Sequence, residues 1–141
     1  MSIPTTHIHY LGNIIVSEKK IVCLPENRQE AIIHSCRSLN IKSEASIREV
    51  TQVIGQMVAC FSAVEYGKLH YRQLERTHAL KVNHGNYDAM MQITMFMKTE
   101  LSWWIDNLTS QVRHILSEPA TIIIHTDASL CGWGGDKIRE L

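Results

Sequence analysis

Three observations predict an α+β fold, mainly helical, for this 141-residue chain. A β-branched and aromatic run stands near the N-terminus, and apolar residues then recur at helical spacing over about four stretches. A second β-branched run, Thr121 to Ser129, leads into a glycine-rich segment. The expected order is an N-terminal β-hairpin, about four helices, and an incomplete C-terminal β-hairpin.

His7 to Val16 carries Ile8, Tyr10, Ile14, Ile15 and Val16, and Ser17 to Lys20 is a polar turn. Ile21 to Leu24 resumes the apolar run, which completes a hairpin signature. Pro25 suits a helix's first turn, where its missing N–H costs nothing. Glu26 and Glu30 favour the same end through the helix dipole. Ile32, Ile33, Cys36 and Leu39 mark one face of this helix, and Asn40 is its expected stop. A second helix is announced by the capping box Ser46-Ile47-Arg48-Glu49. Its apolar face is read as Ile47, Val50, Ile54, Met57, Val58 and Phe61. Gly67 punctuates the chain, and a third helix is expected over roughly Lys68 to Leu80. Asn83-His84-Gly85-Asn86 reads as a loop. Thr94 is a candidate cap for a fourth helix with Met97, Leu101, Trp104, Ile105 and Leu108 on one face. Ser117-Glu118-Pro119 is a linker to the last strand. The expected division is 1–24, 25–116 and 117–141.

Lys plus Arg and Asp plus Glu number 14 each, so overall charge names no partner, although a local basic face is compatible with a neutral sum. Cys23, Cys36, Cys60 and Cys131 are scattered, without a CxxC pair, and read as thiols of a reducing compartment. No apolar run reaches transmembrane length and no signal-peptide pattern is present, so an intracellular location, nuclear or cytoplasmic, without a membrane partner is expected.

Asp127 is the first candidate for chemistry. A strand-end carboxylate beside small residues can approach a divalent cation, whereas two-metal phosphodiester cleavage needs three or four carboxylates. Asp also favours strand ends and turns for its own hydrogen bonding. Asp136 and Glu140 are weak co-ligands, and Ser129 lacks a nucleophile elbow and reads as a turn residue. The second candidate is Tyr66 to Arg76. On one helix, Lys68, Arg72 and Arg76 would form a cationic stripe with Tyr66 and Tyr71 nearby, suited to a phosphate backbone. The plainer alternative is a solvated face partly neutralised by Glu75. The eight histidines are dispersed without metal-ligand spacing. Trp104 and the methionines Met90, Met91, Met95 and Met97 read as packing, and Trp103 as a contact to a neighbouring domain.

Taken in order, these segments resemble the reverse transcriptase and ribonuclease H polyprotein of tyrosine-recombinase (DIRS-like) retroelements. Tyr10-Leu11-Gly12-Asn13-Ile14-Ile15 is similar to the hairpin that follows the polymerase palm and grips the primer terminus. Ser46 to Glu49, Ile54-Gly55 and Tyr66 to Arg72 resemble the thumb and connection. Trp103 to Leu108 resembles the helix before the ribonuclease H domain, and Thr126-Asp127-Ala128-Ser129 with Gly132-Trp133-Gly134 resembles that domain's first strand and turn.

The resemblance implies that Asp127 matches the first catalytic carboxylate, holding magnesium in an intact parent. It implies that Leu11 and Gly12 belong to the primer grip, and that Lys68, Tyr71, Arg72 and Arg76 face nucleic acid. The partners implied are an RNA–DNA hybrid or DNA primer–template, bound weakly, and the missing palm and ribonuclease H segments. No Tyr-x-Asp-Asp polymerase box occurs in the sequence. The expectation is therefore a fragment that polymerises and cleaves nothing alone and needs no cofactor itself. The rival expectations are a host-retained helical protein-interaction module and a complete, divergent nuclease.

Overall fold

The structure, a computed structural model, describes residues 3–82 and 85–140, with backbone alone for 136–140. Asn83 and His84 of the expected loop lie outside the described residues. In chain order the strands and helices are β1 (His7–Tyr10), β2 (Asn13–Val16), β3 (Ile21–Cys23), α1 (Glu26–Asn40), β4 (Glu44–Ser46) and α2 (Ile47–Val58). They continue with α3 (Arg72–Val82), β5 (Met90–Gln92), α4 (Met95–Asn107), β6 (Arg113–His114), β7 (Ile122–Ser129) and β8 (Gly132–Glu140). The α+β class, the opening hairpin and four helices agree with the sequence reading.

The first strand differs from expectation. His7 to Val16 is two strands, because Tyr10 pairs with Asn13 and leaves a two-residue loop of Leu11 and Gly12. Both loop residues have positive φ, +49° and +77°, as a type I′ turn requires; such a turn follows the natural twist of its flanking strands. β3 extends the meander, and β6 pairs with its outer edge through Ile21 to His114 and Val22 to Arg113. The sheet order is β1-β2-β3-β6. The N-terminal strands are thus joined to the segment that follows α4.

Helix α1 begins one residue later than Pro25, which acts as its N-cap, and ends at Asn40 as expected. It buries Ile32, Cys36 and Leu39, with Ile33 half-buried. Helix α2 carries the full capping box: the Ser46 hydroxyl accepts from the Glu49 N–H, and the Glu49 carboxylate accepts from the Ser46 N–H. Its buried face is Ile47, Val50, Val53 and Met57; Val58, expected inside, is exposed. Thr94 caps α4 by accepting from the Met97 N–H. The antiparallel ladder β4–β5 pairs Ala45 with Met91, both buried, and so ties the segment before α2 to the segment before α4.

The four helices close a ring in which α1 packs on α2 and α4, and α3 packs on α2 and α4. Trp104 sits fully buried inside it with Met57, Leu74, Met97 and Leu101. Its indole N–H donates to the His70 carbonyl at 2.8 Å. Gly67 lies so close to the indole that a Cβ would stand 3.0 Å from it. One turn earlier on α4, the buried Glu100 carboxylate accepts from the Gln73 and Leu74 N–H groups, both at 2.9 Å. Helix α3 therefore takes its N-terminal cap from another helix, which satisfies donors that its own sequence leaves open.

Two predictions follow from these contacts. Replacing Glu100 with Ala strands two N–H groups at the start of α3 and should cost about 3 kcal/mol, read as a lower urea midpoint; Glu100→Gln should cost less, since its amide oxygen still accepts. Glu49 is held below the ordinary carboxylate value of 4.5, first by Lys42 and then by the Ser46 N–H. Its contribution is complete above pH 4.5 and fades as pH falls through the lowered value. The stability gap between the parent and Glu49→Gln should therefore close below that pH in a urea series.

Candidate functional site

The hairpin tip is the site where sequence, backbone and surroundings converge. Leu11 is 80% exposed despite its apolar side chain, and Tyr10 and Ile8 beside it are exposed as well. A leucine at positive φ is strained by about 1–2 kcal/mol, because its Cβ crowds the following carbonyl. Type I′ loops favour Asn or Gly at that place. An exposed, strained leucine serves neither the core nor the turn, which makes the tip a candidate contact surface.

Arg28, on the first turn of α1, fixes this tip to the helical body. Its Nη1 donates to the Gly12 carbonyl at 3.0 Å and to Asn13 Oδ1 at 3.5 Å. Its Nη2 donates to the Ala59 carbonyl, just past α2, at 3.3 Å. Asn13 completes the tie by donating to the Ser62 hydroxyl at 2.9 Å. A second arginine, Arg113 of β6, donates to the Phe61 carbonyl nearby at 3.3 Å. Two cations thus serve carbonyls at the C-terminal end of α2, where the helix dipole favours positive charge.

Beside the tip a groove of about 500 Å³ runs between α1 and α2, lined by Arg28, Ala31, Gln52, Gly55, Gln56 and Ala59 among others. Gly55 leaves open space where a Cβ would project. The Gln56 Oε1 is buried without a hydrogen-bond partner, a polar acceptor at the groove wall. Cys36 of α1 and Cys60 just past α2 are fully buried. Burial, with Cys60 alongside, pushes the Cys36 thiol up to about 12. Burial also raises Cys60, against a smaller downward pull from Arg28. Burial thus disfavours the thiolate at both positions.

The second set of expected site residues is arranged differently. Lys68 lies in the short 3-10 turn Gly67–Leu69, and α3 starts only at Arg72, so the three cations do not share one helix face. His70 interrupts the run, its backbone turned so that its carbonyl receives the Trp104 N–H. Lys68 Nζ stands 5.9 Å over the Phe61 ring. Arg72 pairs with Glu75 at 3.2 Å and covers Tyr71, while Arg76 is exposed. Tyr71 is 8% exposed, edge-on to Phe61, with its hydroxyl donating to Glu75. It is a core residue and presents no ring for stacking on a strand. Trp103, expected to meet another domain, stacks on His70 at 4.0 Å and is half-buried.

Asp127 lies within β7 opposite Gly134, and its Oδ1 accepts from the Ala128 N–H at 2.8 Å. The glycine-rich segment, expected as a turn, is part of β8; the turn is Leu130-Cys131. The described β7 and β8 side chains are exposed. Among the described residues no group of three His, Cys, Asp or Glu converges on a metal site. One carboxylate opposite a glycine does not fit magnesium's demand for several oxygen ligands. Asp136 and Glu140 lie on β8, with side chains outside the description. No helix among the described residues is long and apolar enough to cross a membrane.

No family model, curated protein or solved structure matches the chain.

The sequence reading named Leu11 and Gly12, with Asn13 in the same hairpin motif, but did not name Arg28 or the groove. Arg28 carries no local motif; its partners lie 15, 16 and 31 residues away. Gly12→Ala meets two obstacles, a positive φ and a Cβ 2.7 Å from Arg28 Nη1. It should cost about 2 kcal/mol, of which roughly half should vanish in an Arg28→Ala background, as a double-mutant cycle in urea would show.

Proposed function

We propose that the sheet and helical ring form the primer-grip hairpin and the thumb and connection of a retroelement RNA-directed DNA polymerase. In this reading they hold an RNA–DNA hybrid or DNA primer–template by its backbone. The observation that carries the reading is the hairpin tip: an exposed, strained Leu11 seated by Arg28 at the mouth of a groove whose one charged lining residue is that arginine. Gly55 and Ala59 permit close approach of a strand, and the Gln52 and Gln56 amides supply neutral hydrogen-bonding groups. Lys68, Arg72 and Arg76 add peripheral phosphate contacts. The β7–β8 ribbon opens a ribonuclease H-like domain, and the chain contributes binding without cleavage of its own.

A second reading, a helical protein-interaction module, draws on Met90, Met95 and Phe96, which are 60%, 77% and 72% exposed around the start of α4. A stoichiometric protein partner, retained after nuclease treatment and lost with Phe96→Ser, would favour it.

Fluorescence anisotropy with a labelled RNA–DNA hybrid tests the first reading. Binding is expected at low salt and should weaken steeply as salt rises. Leu11→Asn should relieve strain and stabilise the fold by about 1 kcal/mol while lowering hybrid affinity several-fold. Absence of binding at low salt, or full affinity in Leu11→Asn, would refute the assignment of the tip.

A further inference from the structure

Arg28, like Arg113, donates to backbone carbonyls and forms no described ion pair, and of the two it alone lines the α1–α2 groove. The described ion pairs engage Lys42, Arg48 and Arg72 with carboxylates, whereas Arg28 meets only neutral oxygens among the described residues. A guanidinium has five N–H donors in a rigid fork. Both Nη1 hydrogens and one on Nη2 are used by Gly12, Asn13 and Ala59, which leaves the second Nη2 hydrogen and the Nε–H. The side chain is half-buried and lines the α1–α2 groove. Its location on the first turn of α1 opposes that helix's dipole, so an anion there would be favoured by both the guanidinium and the helix end.

We infer that Arg28 is a single-phosphate site at the junction of the hairpin tip and the α1–α2 groove, its guanidinium positioned by neutral oxygens and its charge left for one phosphodiester of the bound strand. The inference rests on the nucleic-acid reading above and names a contact within it. The same side chain holds the tip, so a phosphate bound there is registered against Leu11 and Gly12. Arginine suits this double task because its planar fork serves several acceptors at fixed angles, which a lysine ammonium does not.

The test is equilibrium binding of the whole chain to a labelled RNA–DNA hybrid over a range of NaCl concentrations. It compares the parent with Arg28→Gln, Arg28→Lys and, as a charge control elsewhere on α1, the exposed Arg37→Gln. Loss of one phosphate contact should reduce the log–log salt slope of Arg28→Gln by about one and its affinity about tenfold near 0.1 M salt. Arg28→Lys should keep the slope and lose affinity about threefold, while Arg37→Gln should match the parent. An unchanged slope in a folded Arg28→Gln overturns the inference, and so does an equal change in Arg37→Gln. Should circular dichroism show Arg28→Gln unfolded, Arg28→Lys decides: parent affinity overturns the site, and lower affinity at constant slope supports it. A parent chain that binds no hybrid at low salt overturns the nucleic-acid reading itself, an outcome distinct from binding with an indifferent Arg28.

Discussion

The helical ring depends on one face of α4, where Glu100 and Trp104 stand a turn apart and reach the same stretch of chain. Glu100 accepts the open N–H groups of α3, and Trp104 donates to the carbonyl of His70 just before it. Between them they dictate where α3 begins. The constraint is severe because both groups are buried and an unpaired partner would bear its full desolvation cost. Gly67 makes the fit possible, since any larger residue would meet the indole and Phe61. The expected long helix from Lys68 is incompatible with this arrangement: His70 must turn its carbonyl to the indole and cannot continue a helix.

That constraint also divides the candidate surface. By ending the 3-10 turn at Leu69 and starting α3 at Arg72, it separates Lys68 from the two arginines and turns Tyr71 inward. The cationic stripe read from four-residue spacing is therefore dispersed. The hairpin tip answers to different anchors, Arg28 on α1 and Ser62 after α2, so its position follows from the α1–α2 side of the ring. A change at Glu100 should disturb Lys68 and Arg72 before it disturbs Leu11.

Features encoded within a few residues were legible in the sequence. The Ser46–Glu49 capping box, the Thr94 cap, the Asn40 stop and the inner faces of α1 and α4 are local patterns, and the structure contains them. What stayed hidden depends on contacts between distant residues. Met90 to Gln92 has no β-branched residue and becomes a strand only because Glu44 to Ser46 lies beside it. Arg113-His114 is too short to announce itself and is a strand only through β3. Glu100 carries no local signal, since the N–H groups it accepts from lie 26 and 27 residues away. At the tip, Leu11 and Gly12 were visible, but the arginine that seats them was not.

The β7–β8 ribbon shows the limit of a motif taken alone. Its register is well defined, apart from an irregularity between Ile123 and Ile124, and it presents Asp127 on an extended backbone. Yet a two-stranded ribbon buries too little apolar surface for independent stability, and Ile122, Ile124, Leu130 and Trp133 are all exposed. A metal-binding carboxylate must be held rigidly among other oxygen donors to discriminate and bind a cation. Asp127 has neither a packed backing nor a neighbouring donor among the described residues. Its chemistry is therefore conditional on whatever covers those apolar residues, whereas the hairpin tip is already braced by Arg28, Asn13 and Ser62. The physical case for function accordingly rests on the braced tip.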